Sequence, residues 1–243
     1  MFFCRAGFDK FVETCYKSRD YVKKEPIMDH YINLLFDLDG TLVDSGEGII
    51  KCAQLALRHF GLPMPTPTEM RTFVGPPLKD SFVRFGVAPE KAQEAVDVYR
   101  GRYTTVGKFE GFPYPGVPEL VERLHKDGYH LFVATSKPED MAVEILEHFG
   151  MAPFFDCIAG ATLDGTRSSK SSVIASLMER AGGVEGALMV GDTAFDVEGA
   201  AEHHIPTVGV DWGYGLREDM ASAGAVAIVD TAEELERFIR GEK

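Results

Sequence analysis

Ile32, Leu34, Leu35 and Phe36 form an apolar run that leads straight into Asp37-Leu38-Asp39-Gly40-Thr41. Two carboxylates one residue apart, at the end of a strand apolar enough to be buried, constrain the rest of the chain. Open parallel α/β sheets place their ligands at this end of their strands. A desolvated charge left there without a partner costs on the order of several kcal/mol. The chain must therefore bring a cation, a lysine or both to this point. A strand fraying into an acidic turn would explain one such aspartate, but not the whole run from Phe36 to Ser45.

The sequence after this point alternates apolar strand runs with helical periodicity. Strands are predicted at 31–37, 130–135, 156–159, 187–190, 206–210 and 225–229. Helices are predicted at 118–128, 138–149 and 170–181, and a last one is capped by Thr231 with Glu234 three residues on. Alternation of this kind makes a mostly parallel sheet covered on both faces, which sets the fold class as α/β. The block 46–108 differs. Ile49, Cys52, Ala53, Ala56, Leu57 and Phe60 recur at helical spacing, Thr66-Pro67-Thr68-Glu69 reads as a capping box, and further helices follow at 78–85 and 89–103. It reads as a small all-helical insert after the first strand, with 30–45 and 109–243 as the core domain and 111–116 as a stiff turn-rich linker. Residues 1–29 fit neither part and read as a poorly ordered extension or a start-site artefact, with Met28 as an alternative start.

The net charge of −13 argues against nucleic acid and anionic membranes as partners. It does not exclude a small phosphorylated metabolite, because a metal and a lysine reverse the field locally. Cys4, Cys15, Cys52 and Cys157 show no paired spacing and read as reduced thiols of a cytoplasmic protein. No apolar stretch approaches the roughly 20 residues that span a bilayer. Monomer and dimer both stay open.

The polar exceptions fall where strands end: Asp37 with Asp39, Thr135 with Ser136, and Asp192 with Asp196, while Lys170 opens a helix. In a parallel sheet these ends share one edge and their side chains can converge. The matching chemistry is phosphoryl transfer. Asp37 attacks phosphorus to give an aspartyl-phosphate, and Asp39 serves as general acid and then as general base. Asp37, the Asp39 carbonyl and Asp192 supply oxygen ligands for Mg2+. Thr135, Ser136, Lys170 and the backbone at Leu38 and Asp39 hold phosphoryl oxygens, and Asp196 steadies Lys170. Each piece has a plainer alternative. Thr135 and Ser136 can cap the next helix, Lys170 can be solvated, and Asp192 and Asp196 can decorate a helix start. His203-His204 and Trp212 read as surface and loop-packing residues.

Asp37-Leu38-Asp39-Gly40-Thr41, Ala134-Thr135-Ser136-Lys137-Pro138, Lys170 and Gly191-Asp192-Thr193-Ala194-Phe195-Asp196 together resemble the four motifs of the haloacid dehalogenase superfamily. The helical insert is similar to the cap of phosphoglycolate phosphatases and beta-phosphoglucomutases. Val74 to Leu78 and Asp164 to Arg167 resemble stretches of a phosphoglycolate phosphatase-like subgroup that includes 5'-nucleotidases. The resemblance implies a Rossmann-like core, Mg2+ dependence and phosphatase activity on a small monoester such as phosphoglycolate or a 5'-nucleotide. A sugar-phosphate mutase and a non-catalytic protein of the same fold are the alternatives. Arg71, Gly75 and Pro76 in the cap and Arg167 in the core are the candidates for substrate choice, though exposed arginines more often serve salt bridges.

Overall fold

The computed structural model describes residues 31–242, so the expectations for residues 1–29 lie outside it. Strand β1 (Asn33–Phe36) is followed by a short β2 (Val43–Asp44) and four helices, α1 (Gly46–His59), α2 (Pro67–Arg71), α3 (Leu78–Arg84) and α4 (Ala92–Tyr103). Next come β3 (Phe112–Pro113), α5 (Val117–Lys126), β4 (His130–Pro138), α6 (Glu139–His148) and β5 (Cys157–Ala161). The chain continues with α7 (Lys170–Ala181), β6 (Ala187–Gly191), α8 (Ala194–Ala201), β7 (Thr207–Val210), α9 (Arg217–Ala223), β8 (Ala227–Val229) and α10 (Ala232–Arg240).

Six strands form one parallel sheet in the order β5-β4-β1-β6-β7-β8. The chain builds outward from β1 in one direction through β4 and β5, then in the other through β6, β7 and β8. Such a reversal opens a crevice beside the central strand. Phe36 is in register with both Val133 and Val190. The residues just beyond them in each strand, Asp37, Thr135 and Asp192, are therefore brought to one edge.

Side chains alternate across the sheet as the two-residue period of a strand requires. Leu34, Phe36, Leu131, Val133, Leu188 and Val190 face a core completed by Leu120 and Leu124 of α5, Ile145 and Leu146 of α6, and Leu235 and Ile239 of α10. Leu35, Phe132, Ala134 and Met189 face the other side, against Val173, Ile174 and Leu177 of α7 and Ala200 of α8. Each such side chain contributes on the order of 1.5–3 kcal/mol by leaving water. The helices over 46–103 have a separate apolar cluster built from Ile49, Ala53, Leu57, Met70, Phe73, Phe82, Val96, Tyr99 and Tyr103. Phe73 stacks on Phe85 at 4.8 Å and meets Phe82 edge-on at 5.3 Å.

Local signals explain several boundaries. Thr66 and Glu69 form the reciprocal capping box at α2, and Thr231 accepts from the Glu234 N–H at α10. Three features differ from the sequence reading. β4 continues through Ser136 and Lys137 to Pro138, with a register shift after Ala134, so α6 begins one residue later than predicted. Helix α9 was not foreseen, and residues 112–113, read as linker, pair antiparallel with β2.

This β2–β3 ribbon is where the chain leaves and re-enters the core. Glu110 beside it receives both Arg102 (2.5 Å and 2.9 Å) and Lys51 (3.0 Å), while its carbonyl accepts from Gly48 N–H at 2.9 Å. The Arg102 hydrogen bonds, with help from Lys51, hold the Glu110 carboxyl down at about 2, against 4.5 for a free group. A pKa depressed in the fold stabilises it above the unfolded value, and that contribution is lost as pH falls through the folded one. Glu110→Gln should therefore lower the unfolding midpoint at pH 7 and flatten the fall in stability between pH 4.5 and pH 2. Urea melts across that window check this.

Candidate active site

Asp37 follows β1 directly, its N–H donating to the Val190 carbonyl at 2.9 Å. The turn after it closes on the Leu38 carbonyl, which accepts from Leu42 N–H and Val43 N–H, each at 3.0 Å. Leu38 itself is fully buried, and the turn needs Gly40, whose φ is +89°. A Cβ at Gly40 would lie 2.1 Å from the Asp192 Oδ2 atom. The strand-end glycine is thus what lets the β1 and β6 termini approach.

Lys170 is buried and lies between two acids, with Nζ 2.9 Å from Asp37 Oδ1 and 2.7 Å from Asp196 Oδ1. Its aligned hydrogen bond goes to the Ala134 carbonyl at 2.8 Å. Burial opposes the ammonium charge, but the facing Asp196 and Asp37 carboxylates outweigh it and hold the group protonated. This is not a solvated lysine. Asp196 also receives Thr193 N–H (3.0 Å) and Thr193 hydroxyl (2.8 Å), so it caps α8 and pairs with Lys170 at once.

Asp192 accepts from the Thr41 hydroxyl on Oδ1 (3.2 Å) and from Tyr214 N–H on Oδ2 (2.8 Å). One oxygen each of Asp37, Asp192 and Asp196 lie within 4.8 Å of one another. Burial, then the Asp196 and Asp37 charges, push the Asp192 carboxyl well above its usual range. Three carboxylates against one ammonium leave excess negative charge in a buried volume. The donor set is all oxygen, so it fits a hard divalent cation.

Asp39 is held by Lys137, with Nζ 2.7 Å from Asp39 Oδ2. Lys137 Nζ also donates to the Tyr103 hydroxyl at 2.6 Å and sits 4.8 Å from that ring's centre. Asp39 Oδ1 is buried, and among the described residues it accepts no hydrogen bond. Thr135 is buried and its hydroxyl accepts from Lys137 N–H at 3.2 Å, whereas Ser136 is exposed. Neither caps α6, whose N-cap is Pro138 with no side-chain bond.

The specificity candidates separate. Gly75, at φ +101°, would bring a Cβ to 3.9 Å from Thr193 Cγ2, which puts the Gly75-Pro76 turn against the sheet edge. Arg71 reaches the same edge, with its guanidinium 5.1 Å from the Tyr214 ring centre and Nη2 donating to the Gly213 carbonyl at 3.4 Å. Arg167 is not free for a substrate. It donates to the Gly160 carbonyl (2.7 Å), the Ser176 hydroxyl (2.7 Å) and Glu139 (2.8 Å), a network that fastens the loop before Lys170. Lys137, Tyr103 and Tyr214 were given no role in the sequence reading. A lysine one residue past the Thr135-Ser136 pair was a visible signal, whereas Tyr103 reaches the site only through the fold of the helical insert.

A parallel sheet with a carboxylate–lysine cluster at its reversal point and a helical insert reaching over it defines a Rossmann-like α/β enzyme. The chain belongs to the haloacid dehalogenase-like hydrolases, whose family model matches residues 34–210. It is 41% identical over 192 residues to a 5'-nucleotidase of Pseudomonas aeruginosa, across 78% of this chain and 87% of that one. Identity to a phosphoglycolate phosphatase of Caulobacter vibrioides is 30% over 207 residues, across 81% of this chain and 85% of that one. The structure of protein tyrosine kinase A from Mycobacterium tuberculosis aligns with a TM-score of 0.78 at 39% identity, covering 87% of this chain and 99% of that one.

Gly40→Ala tests the close approach at the centre of the site. The left-handed backbone costs an alanine roughly 1–3 kcal/mol, and the Cβ must displace the Asp192 carboxylate. The variant should melt several degrees below the parent in thermal denaturation.

Proposed function

We propose that this chain is a Mg2+-dependent phosphatase that hydrolyses a small phosphate monoester, phosphoglycolate-like or a 5'-nucleotide, through an aspartyl-phosphate on Asp37. The observation that carries this reading is the pairing of Asp37, fixed against a buried Lys170, with an unpartnered Asp39 oxygen two residues on. The named phosphatase and nucleotidase relatives support the reaction class.

Asp37 lies against the Lys170 ammonium, which orients its carboxylate as a nucleophile. Attack on phosphorus forms the Asp37 oxygen–phosphorus bond and breaks the ester bond, and Asp39 Oδ1 gives a proton to the departing alkoxide. Asp39 then takes a proton from water, which cleaves the acyl-phosphate and restores Asp37. Lys170 offsets charge that grows on the phosphoryl oxygens, with Thr135, Ser136 and the Leu38 and Asp39 backbone as their further contacts. Asp37, the Asp39 carbonyl and Asp192 would hold Mg2+, with Asp196 steadying Lys170. The bound ion would supply the positive charge that lets an anionic nucleophile approach an anionic phosphate.

Helices 46–108 act as a cap over this edge, and the turn at Gly75-Pro76, with Arg71, faces the substrate. The carboxylate that handles the proton is tied to the cap through Lys137 and Tyr103. A second acid at position 39 serves an alkoxide leaving group, which separates this site from dehalogenation. Cys52 and Cys157 are buried free thiols, in keeping with a cytoplasmic setting.

The test is phosphate release from phosphoglycolate, 5'-nucleotides, sugar phosphates, pyrophosphate and p-nitrophenyl phosphate, each with Mg2+ and with EDTA. Metal-dependent release is expected, and the preferred compound names the substrate class. The kinase name of the Mycobacterium tuberculosis relative favours a second reading, transfer to a hydroxyl acceptor in place of water; loss of ester without free phosphate would select it. Asp37→Asn leaves Lys170 paired with Asp196, so the variant should fold with a lower melting temperature and lower kcat by about a thousandfold or more. Substantial turnover by that variant would remove Asp37 as nucleophile.

A further inference from the structure

The loop 211–216 follows β7 and wraps Asp192. Tyr214 N–H donates to Asp192 Oδ2 at 2.8 Å. A Cβ on Gly213 would fall 2.3 Å from the Asp192 Cβ, and one on Gly215 would fall 2.0 Å from the Asp192 carbonyl oxygen. Two glycines are therefore needed for this loop to lie so close. Trp212 Nε1 donates to the Thr41 carbonyl at 3.1 Å, and the Thr41 hydroxyl bonds the other Asp192 oxygen. The backbone of the loop thus fixes both the carboxylate and its neighbour in the turn after β1.

The Tyr214 side chain leads away from Asp192 to the hinge. Its hydroxyl donates to the Asp44 carboxylate and accepts from Gly46 N–H at 2.8 Å, where α1 begins. Gly46 has room only for hydrogen, since a Cβ there would sit 2.5 Å from the Tyr214 hydroxyl oxygen. Burial, and the bond to Asp44, push the phenol well above its usual range, so it stays a neutral donor. Arg71, at the end of α2, covers the ring and also bonds the Gly213 carbonyl. One residue therefore meets Asp192 through its backbone, the hinge through its hydroxyl and the helical insert through its ring.

We propose that Tyr214 is a positioning residue that couples the docking of the helical insert to Mg2+ affinity at Asp192. This rests on the reading of Asp192 as a metal ligand. With Arg71 and Asp44 holding the ring, the Tyr214 N–H is kept on Asp192 Oδ2 and the carboxylate is set before the ion arrives. When those contacts part, the loop relaxes and Asp192 must be ordered at the moment of binding, which weakens it. Coupling between two binding events is reciprocal, so Mg2+ in turn favours the docked insert.

The chain has one tryptophan, Trp212, inside this loop. Its emission, in parallel with calorimetry, follows titration with Mg2+ alone and no substrate. Asp192→Asn should abolish saturable binding, which ties the signal to the site. Tyr214→Phe removes only the hinge contact, and Arg71→Leu removes only the contact from the insert, at an exposed position that leaves the fold intact. Each should raise the Kd for Mg2+ by about two- to tenfold, the range expected from losing one such contact. A purely structural role would lower the melting temperature and leave Kd where it was, and an unchanged Kd in both folded variants overturns the coupling. No saturable response in the parent protein by either method would overturn the metal reading of Asp192, and the coupling with it.

Discussion

Everything in this molecule is arranged around one buried ammonium facing two carboxylates. Lys170 lies within 3 Å of both Asp37 and Asp196, and a third acid, Asp192, shares the same volume. Removing one partner of such a buried pair typically costs about 3–5 kcal/mol. The fold must therefore deliver β1, β6 and the start of α7 to one point, or leave charges stranded. The β1–β4 and β1–β6 registers do this, and the positive φ of Gly40 allows the last approach. The acids are held by groups of the chain itself: Asp196 by its own helix cap, and Asp192 by Thr41 and the Tyr214 backbone. A site assembled in this way is preorganised for charge that arrives later, whether from a cation or a phosphoryl group.

The helical insert keeps its own apolar cluster, and two thin strands of chain join it to the core. Met141 and Tyr214 of the core pack against that cluster, and polar contacts tie the unit down further. They include Glu110 with Arg102 and Lys51, Lys108 with Glu144 on α6, Lys137 with Tyr103, and Arg71 on Tyr214. Closure of a helical unit over a strand-end site excludes water from the reacting groups, where it strengthens every interaction between charges.

The sheet was legible because buried parallel strands leave apolar runs that end in abrupt polar exceptions. The strands at 187–190 and 206–210 were placed within a residue at each end for that reason. Capping residues carry their mechanism in the sequence, so the box at Thr66 and the cap at Thr231 were legible too. The extension of β4 through Lys137 was not, since Pro138 and the polar residues before it imitate a helix start. Helix α9 has few apolar positions and buries only Met220, so its periodicity was too weak to read. Within the site, the acids and Lys170 announced themselves by position. Arg167 was ambiguous, because a cation near the lysine looks the same in sequence whether it faces a ligand or fastens a loop. Tyr103 and Tyr214 were invisible as site residues, since each depends on a long-range approach that no local pattern encodes.

The two aspartates of the β1 turn differ in what holds them, and that difference divides the labour in the proposed reaction. Asp37 is fixed from within the core by Lys170, a contact that owes nothing to the insert. A nucleophile needs this constancy, because its charge must be present whenever a phosphate arrives. Asp39 has one oxygen on Lys137 and one with no partner, and Lys137 is itself bonded to Tyr103 of the insert. The proton-handling group thus has an environment completed only when α4 lies over it. Buried beneath Tyr103, Lys137 acts on Asp39 through a dry, low-dielectric neighbourhood, and moving α4 away would admit water and weaken that pull. In the proposed reaction, proton transfer would in this way be tied to enclosure of the site, and an aspartyl-phosphate on Asp37 would meet its base beneath the same insert.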